Sequence, residues 1–422
     1  MIGPKMKRIS LRVLLTLAVL GWSGAADGQD IQITPHVAVQ GEYTNNVFFD
    51  EENEESDILT RVIPGIDWRY RTERLTAEAG ARLAAVFYRD EDDLDALEQD
   101  YRGDIACHIR PTTRIGAGLG YGRDSLPDRD LAETGLVLGS ETRRRYRLNL
   151  SGDQVLSDKA GVGVGYSFQE DDYDSDTVSD MTAHSLGIGW TYNLSTWLPE
   201  LTARMNLGAA RYEFDASETD TCQWTLGFSR NLRENFNVLM DVGVRYTEVE
   251  SRQMVLEPIL ASEMDPGLPP EADGVIGFRP VEETVTGDSW GGTGELRMTY
   301  GFGPGTTGTA GLTHGITAAT GRGTNTERTA LHLGVRQRMA ERFTGLLNLG
   351  YFLNRTEGEE SDDQELDEAS LNLSPGLEIA LGDRWTLTAR YTYNRIEDRE
   401  TGRWRQRNLV FFRLRYAHPL FE

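Results

Sequence analysis

The stretch Leu75-Thr76-Ala77-Glu78-Ala79-Gly80-Ala81-Arg82-Leu83-Ala84-Ala85-Val86-Phe87-Tyr88 sets Leu, Ala and Phe on one parity against Thr, Glu, Gly and Arg on the other. Successive side chains of a strand point to opposite faces, so the segment predicts a β-strand with one apolar and one polar face. The same alternation places Ala160, Val162, Val164, Tyr166 and Phe168 against Gly161, Gly163, Gly165 and Ser167. It recurs with Trp385, Leu387, Ala389, Tyr391 and Tyr393 against Thr386, Thr388, Arg390 and Thr392. In water the apolar face would pack onto a core. In a closed barrel within lipid it faces outward, and the polar face lines the lumen.

Outward from these segments one layout repeats: an alternating strand, a short turn, a second strand, then a long acidic loop. Short connections such as Pro111-Thr112, Gly303-Pro304-Gly305, Ala340-Glu341 and Gly382-Asp383 carry turn chemistry. The opposite connections, at 50–57, 89–100, 170–180 and 355–368, are long and acidic. The pattern predicts an all-β fold, a transmembrane antiparallel β-barrel of about 18 strands (16 is the alternative), with periplasmic turns and extracellular loops. An even count keeps both termini on the periplasmic side. The longest connection, 250–288, holds Pro258, Pro266, Pro269, Pro270 and Pro280. Three readings stay open for it: a constriction folded into the mouth, a short extracellular hairpin, or a floppy loop. Aromatic pairs near segment ends (Trp68 and Tyr70, Phe87 and Tyr88, Trp190 and Tyr192, Tyr351 and Phe352, Tyr391 and Tyr393) are expected to form girdles at the two lipid boundaries.

The N-terminus reads as an export address. Lys5, Lys7, Arg8 and Arg12 precede the apolar run Val13 to Trp22 and the small residues Gly24-Ala25-Ala26. This is a three-part secretory signal whose core is too short to span a bilayer. The expected organisation is a signal peptide over 1–28 and a barrel over 29–422.

With 39% hydrophobic residues and a mean hydropathy of -0.46, the chain contains no mature apolar run of the roughly 20 residues a spanning helix needs. A formal net charge of -24, more negative once the signal is removed, argues against a nucleic-acid partner. Cys107 and Cys222 lie far apart on the apolar parity of their strands, as lipid-facing or buried small hydrophobes, and no disulfide is expected.

The polar parity carries Arg61, Arg82, Arg102, Arg143, Arg145, Arg147, Arg204, Arg245, Arg297, Arg336, Arg390, Arg413 and Arg415, with fewer acids: Asp67, Asp104, Asp241 and Glu295. These arginines are the candidate pore-lining, substrate-binding residues, and a basic lumen favours anions. The alternative is an arginine ladder that pairs with lumenal acids and fills the barrel. Gly116, Gly118, Gly120, Gly122, Gly187 and Gly189 share the inward parity and leave room beside it. Arg, Tyr and Trp around such space suit sugars. No nucleophile elbow, zinc-helix motif or phosphate loop is present, so the chain is read as a non-enzyme without cofactor. The run Asp172-x-Asp174-x-Asp176 begins like a calcium loop, yet Thr177 and Ala183 occupy positions six and twelve, so no metal is expected. His108 and His332 have lumenal parity and read as structural.

The segment Gly41-Glu42-Tyr43-Thr44-Asn45-Asn46-Val47-Phe48-Phe49-Asp50, followed by Glu55-Ser56-Asp57 and Ile63-Pro64-Gly65, resembles the β-barrel porin type 2 family. Tyr43, Asn46, Val47, Phe48, Ser56, Asp57, Pro64 and Gly65 carry the match, over some 25 residues. The C-terminal segment Asn408 to Glu422 resembles the targeting strand of outer-membrane barrels, with Phe421 penultimate. The resemblance implies an outer-membrane barrel of the EpsL-type exopolysaccharide export transporters. The implied partners are outer-membrane lipid and lipopolysaccharide, the polysaccharide, periplasmic export machinery and the barrel assembly machinery. A general diffusion porin and a plugged structural or adhesive barrel are the alternatives.

Overall fold

The computed structural model describes residues 30–420 except 126–130, 132–133, 138–140, 176, 261–274, 320 and 357–365. The expected signal peptide lies outside the described residues, as does Phe421. Eighteen strands follow in order: β1 (Asp30–Thr44), β2 (Asp57–Arg71), β3 (Leu75–Tyr88), β4 (Ala96–Arg110), β5 (Thr113–Asp124), β6 (Arg143–Val155), β7 (Ala160–Tyr173), β8 (Met181–Asn193) and β9 (Leu201–Phe214) form the first half. The second half is β10 (Ser217–Arg233), β11 (Phe236–Leu260), β12 (Val275–Gly303), β13 (Thr306–Ala319), β14 (Thr324–Ala340), β15 (Phe343–Thr356), β16 (Asp367–Ala380), β17 (Trp385–Asp398) and β18 (Trp404–Ala417). Each strand pairs antiparallel with its neighbours, and β1 pairs with β18 as well as β2, which closes the ring.

Alternation decides which face is which. Along β1, His36, Ala38, Gln40, Glu42 and Thr44 are buried, while Val37, Val39 and Tyr43 are exposed. Directly paired residues of an antiparallel sheet share a face, so the register carries this assignment round the barrel. Val62, Leu83, Ile105, Leu119, Leu150, Val164, Leu186, Leu207, Val242, Leu347 and Phe412 all stand on the outside and are exposed. A closed sheet with an apolar exterior and a charged interior answers the constraint lipid imposes, since neighbouring strands satisfy one another's backbone groups and the ring closes between β1 and β18. The protein is an integral outer-membrane β-barrel. No helix among the described residues is long and apolar enough to span a membrane.

Aromatic side chains mark two levels on the exterior. Near the short-turn end, Phe236 and Tyr300 lie 5.4 Å apart, and Trp385 and Tyr416 4.8 Å. Near the opposite end, Tyr121 stacks between Tyr101 at 5.8 Å and Tyr146 at 5.1 Å, and Tyr246 meets Trp290 at 5.2 Å. Two expected girdle members belong elsewhere. Tyr88 pairs with Leu59 and Phe352 with Ser370, both on the inward register. Adjacent residues of a strand face opposite ways, so Phe87 and Tyr351 take the lipid positions their neighbours cannot.

Of the three readings open for 250–288, the described residues take that of a hairpin. β11 and β12 run on as a two-stranded ribbon, paired from the membrane up to Leu260 opposite Val275. Pro258 faces Phe278, and Pro280 faces Leu256. Proline is tolerated because the ribbon is all edge.

Candidate functional site: the lumen and its mouth

The lumen has two unlike walls. The first spans β5 to β10. Gly116, Gly118, Gly120 and Gly122 of β5 face Asn149, Ser151 and the β6 arginines. Gly163 and Gly165 of β7 lie opposite Gly189 and Gly187 of β8, and Gly187 in turn opposite Gly208 of β9. The few side chains between them are neutral and satisfy one another: Ser167 and Ser185 hydroxyls meet at 2.6 Å, and Asn206 Nδ2 donates to Thr225 Oγ1 at 3.1 Å. Because glycine fills nothing, a cavity of about 640 Å³ opens along this wall, bounded by Asn149, Gly165, Gly187, Asn206, Tyr212 and Ile316 among others.

The second wall runs from β17 through β18 and β1 to β4, and it is built of guanidinium groups. Arg413 Nε donates to Gln40 Oε1 at 2.7 Å, and Gln40 Nε2 donates to Glu42 Oε2 at 2.7 Å. Arg61 approaches Glu42 at 3.7 Å. Asp67 is shared by Arg102 at 3.4 Å, Arg415 at 3.7 Å and His36 at 3.4 Å. Arg390 and Arg413 both stand over the Phe411 ring, at 5.6 and 5.4 Å. The Asp67 carboxylate is thus shared between two guanidinium groups and an imidazole.

The register places every arginine singled out in the sequence on the inward face. It does not bring them together. Arg143 with Asp124 (3.2 Å), Arg145 with Asp171 (2.5 Å), Arg204 with Asp241 (3.3 Å), Arg245 with Glu327 (3.6 Å), Arg336 with Glu378 (3.5 Å) and Arg297 with Glu295 are ion pairs inside the wall. Arg147 donates to Gln169 at 3.4 Å. Arg61, Arg82, Arg102, Arg390, Arg413 and Arg415 make up the second wall. Cys107 and Cys222 are free thiols on the outward register.

The mouth is crossed from an unexpected place. Residues of the β5–β6 connection cross the lumen to β15–β17, about nine strands round the ring. Leu131 and Val137 cluster with Phe49 and Ile396, and Leu136 clusters with Ala319 and Leu366; all are buried. Asn354 Nδ2 donates to the Thr134 carbonyl at 3.1 Å. Gly135 turns the chain there with φ +73°, and a Cβ on it would lie 2.6 Å from Phe352 Cβ. The signal in the sequence was apolar residues in a connection that should be polar. At the rim, burial raises the Asp180 carboxyl above its ordinary range, against a hydrogen bond from the Tyr173 N–H.

The N-terminal motif residues do structural work beside this plug. Buried Asn46 donates from Nδ2 to the carbonyls of Asp50 (2.7 Å) and Gln406 (3.1 Å), fastening the first loop to β18. The Asp57 carboxylate accepts from the backbone N–H groups of Ile58, Arg89, Asp90 and Glu91.

No family model and no curated protein matches the chain. Among solved structures it is similar to OccK3 (OpdO) of Pseudomonas aeruginosa, at 12% identity and TM-score 0.41, covering 93% of this chain and 96% of that one. It is similar to the ferric-catecholate import receptor Fiu of E. coli K12 in its open form, at 7% identity and TM-score 0.48, covering 92% and 82%. The chain spans 65% of the copper transporter OprC and 61% of the ferric citrate transporter FecA. At these identities the likeness reaches no residue's role.

Proposed function

We propose that this barrel is a dedicated outer-membrane exit channel for a polysaccharide. The observation that carries the reading is an apolar cluster reaching across the mouth above a roomy lumen whose two sides differ. A general diffusion porin needs a standing opening, and an apolar plug of Leu131, Leu136, Val137 and Phe49 works against one. The neutral glycine, serine and asparagine wall suits hydroxyl-rich chains, to which it offers hydrogen bonds and room. The arginine wall suits acidic groups carried on such chains. The resemblance of Tyr43, Asn46, Ser56, Asp57, Pro64 and Gly65 to the β-barrel porin type 2 family supports the same substrate.

Deleting the gene should leave polymer synthesis intact while polymer accumulates in the periplasm, measured by fractionating cell-surface and periplasmic glycan. Undiminished surface polymer in the deletion strain would defeat this function. The plug also favours a second reading, a sealed structural barrel. Single-channel recording separates the two: a gated current belongs to the exporter, and permanent silence to the sealed barrel.

A further inference from the structure

Partway up the barrel β12 and β13 part. Their register runs from Gly303 opposite Thr306 to Gly294 opposite His314 and ends there. Above that point β12 continues with β11 and β13 with β14. The cause is a hairpin that leans into the mouth. Ile316 of this hairpin is among the residues that bound the cavity, with Tyr212 and Thr221. At the hairpin tip Gly321 bridges to Ser179, and Ser217 Oγ donates to the Gly323 carbonyl at 2.7 Å. The strands therefore separate four residues below Trp290 and Tyr246 of the outer aromatic girdle, and the seam runs up to that level.

Strand edges that part at this depth leave backbone groups without ladder partners, which a membrane penalises. Side chains replace the ladder here. Arg245 Nη1 donates to the Gly292 carbonyl at 2.6 Å, and Thr293 Oγ1 donates to the His314 carbonyl at 3.2 Å. Arg245 Nη2 lies 3.6 Å from Glu327 Oε1, which His314 Nε2 approaches at 3.0 Å. Gly291 makes the room, since a Cβ there would sit 2.6 Å from Arg245 Cζ.

We propose that the β12–β13 seam is a lateral portal by which the lumen opens to the lipopolysaccharide headgroup layer, with Arg245, Glu327 and His314 as its latch. Two observations converge on it. Apolar residues of the β5–β6 connection lie across the axial way out, while the glycine-walled cavity reaches Ile316, beside the seam. A seam closed by a few side-chain contacts opens by breaking those contacts, whereas a ladder must give up its hydrogen bonds in register. The sugars and phosphates of the outer headgroup layer can then bond the freed edges. The inference rests on the channel reading and concerns only where the path leaves the lumen.

The test compares two staples in a Cys107→Ala, Cys222→Ala background. Thr293→Cys with Gly315→Cys locks the seam; the position of a Cβ at 315 lies 3.3 Å from Thr293 Oγ1, a separation that suits a disulfide. Leu136→Cys with Ala319→Cys locks the plug to the hairpin tip. Potassium chloride currents in planar bilayers are recorded oxidised and reduced, so each folded sample is its own control. Oxidising the seam pair should abolish the current and reductant restore it, while the oxidised plug pair still conducts. Arg245→Ala should raise the fraction of time spent open. Current that survives the seam staple overturns the portal alone. Silence of every variant, Arg245→Ala included, overturns the channel reading and the portal with it.

Discussion

From β5 to β10 the lumen is lined by residues chosen for what they lack; from β17 round to β4 it is lined by residues chosen for what they reach. Gly165 and Gly187 contribute backbone alone; nearby, Ser167 pairs with Ser185 and Asn206 donates to Thr225. Arg61, Arg413 and Arg415 each present a guanidinium that must find acceptors, and Gln40, Glu42 and Asp67 are arranged to supply them. One wall leaves space between ion pairs satisfied within it, and the other gathers guanidinium groups round shared acceptors. A substitution on the first therefore acts through volume. On the second it acts through the partner left behind.

The inward glycines differ among themselves, and the largest effect is expected at one on β11, beside the glycine wall. Gly243 faces Thr225 across β10, where a Cβ would overlap the Trp224 carbonyl oxygen and lie 2.7 Å from Thr225 Cα. Backbone cannot rotate aside as a side chain can. Gly243→Ala should cost about 3 kcal/mol or more and remove the compact, heat-modifiable species seen on unboiled gels. Gly187→Ala should change stability by no more than about 0.5 kcal/mol, since the nearest atom to a Cβ there is Leu207 O at 3.9 Å. Equal stability of the two variants would show that close strand approach is not what Gly243 serves.

Next in size is a contrast between arginines. Arg145 grips Asp171 through Nε at 2.5 Å and Nη2 at 2.6 Å, and Asp171 is 0% exposed. Arg145→Ala strands a buried carboxylate at a cost of about 3–5 kcal/mol. Adding Asp171→Asn should recover roughly half of that, because the orphaned charge is the main penalty. Arg102 meets Asp67 at 3.4 Å with its side chain 54% exposed. Water replaces such a partner, so Arg102→Ala should cost less than about 1 kcal/mol. Denaturant midpoints of the three variants measure the difference. A drop for Arg102→Ala as large as that for Arg145→Ala would mean that burial does not separate filling arginines from lining ones.

The face of each wall was legible in the sequence, and the partners across it were not. Period-two alternation reports which way a side chain points, because lipid and lumen reward opposite polarity. That sufficed for the eighteen strands, the inward arginines and the inward glycines. Parity also held the answer for Phe352, which cannot share a face with Tyr351, but nearness to a strand end suggested a girdle instead. The prolines at 258 and 280 left a constriction, a hairpin and a floppy loop all open, because a ribbon free on both edges tolerates what a barrel strand refuses. The plug was out of reach for a different reason. Leu131, Leu136 and Val137 meet Phe49, Ala319, Leu366 and Ile396, contacts between segments up to hundreds of residues apart on opposite sides of the ring. No local period encodes such a meeting. Which arginines pair inside the wall and which crowd round Glu42 and Asp67 depends in the same way on register between strands.

The smallest effects should discriminate best, because they leave the fold intact and perturb one wall at a time. In the unlatched Arg245→Ala channel, Gly165→Leu with Gly187→Leu adds bulk where a Cβ meets nothing nearer than 3.9 Å. Conductance should fall by roughly half while the reversal potential in a salt gradient stays put, since the added groups carry no charge. Arg390→Ser with Arg413→Ser removes two cations from the opposite wall and leaves Gln40 able to donate to Glu42. Here the reversal potential should move toward cation preference, by roughly a threefold change in permeability ratio, with little change in conductance. The two walls are separable only if these outcomes stay apart. Should the leucines alter selectivity, or the serines alter conductance alone, the permeating ion samples both walls at one constriction, and size and charge selection are a single property of that point.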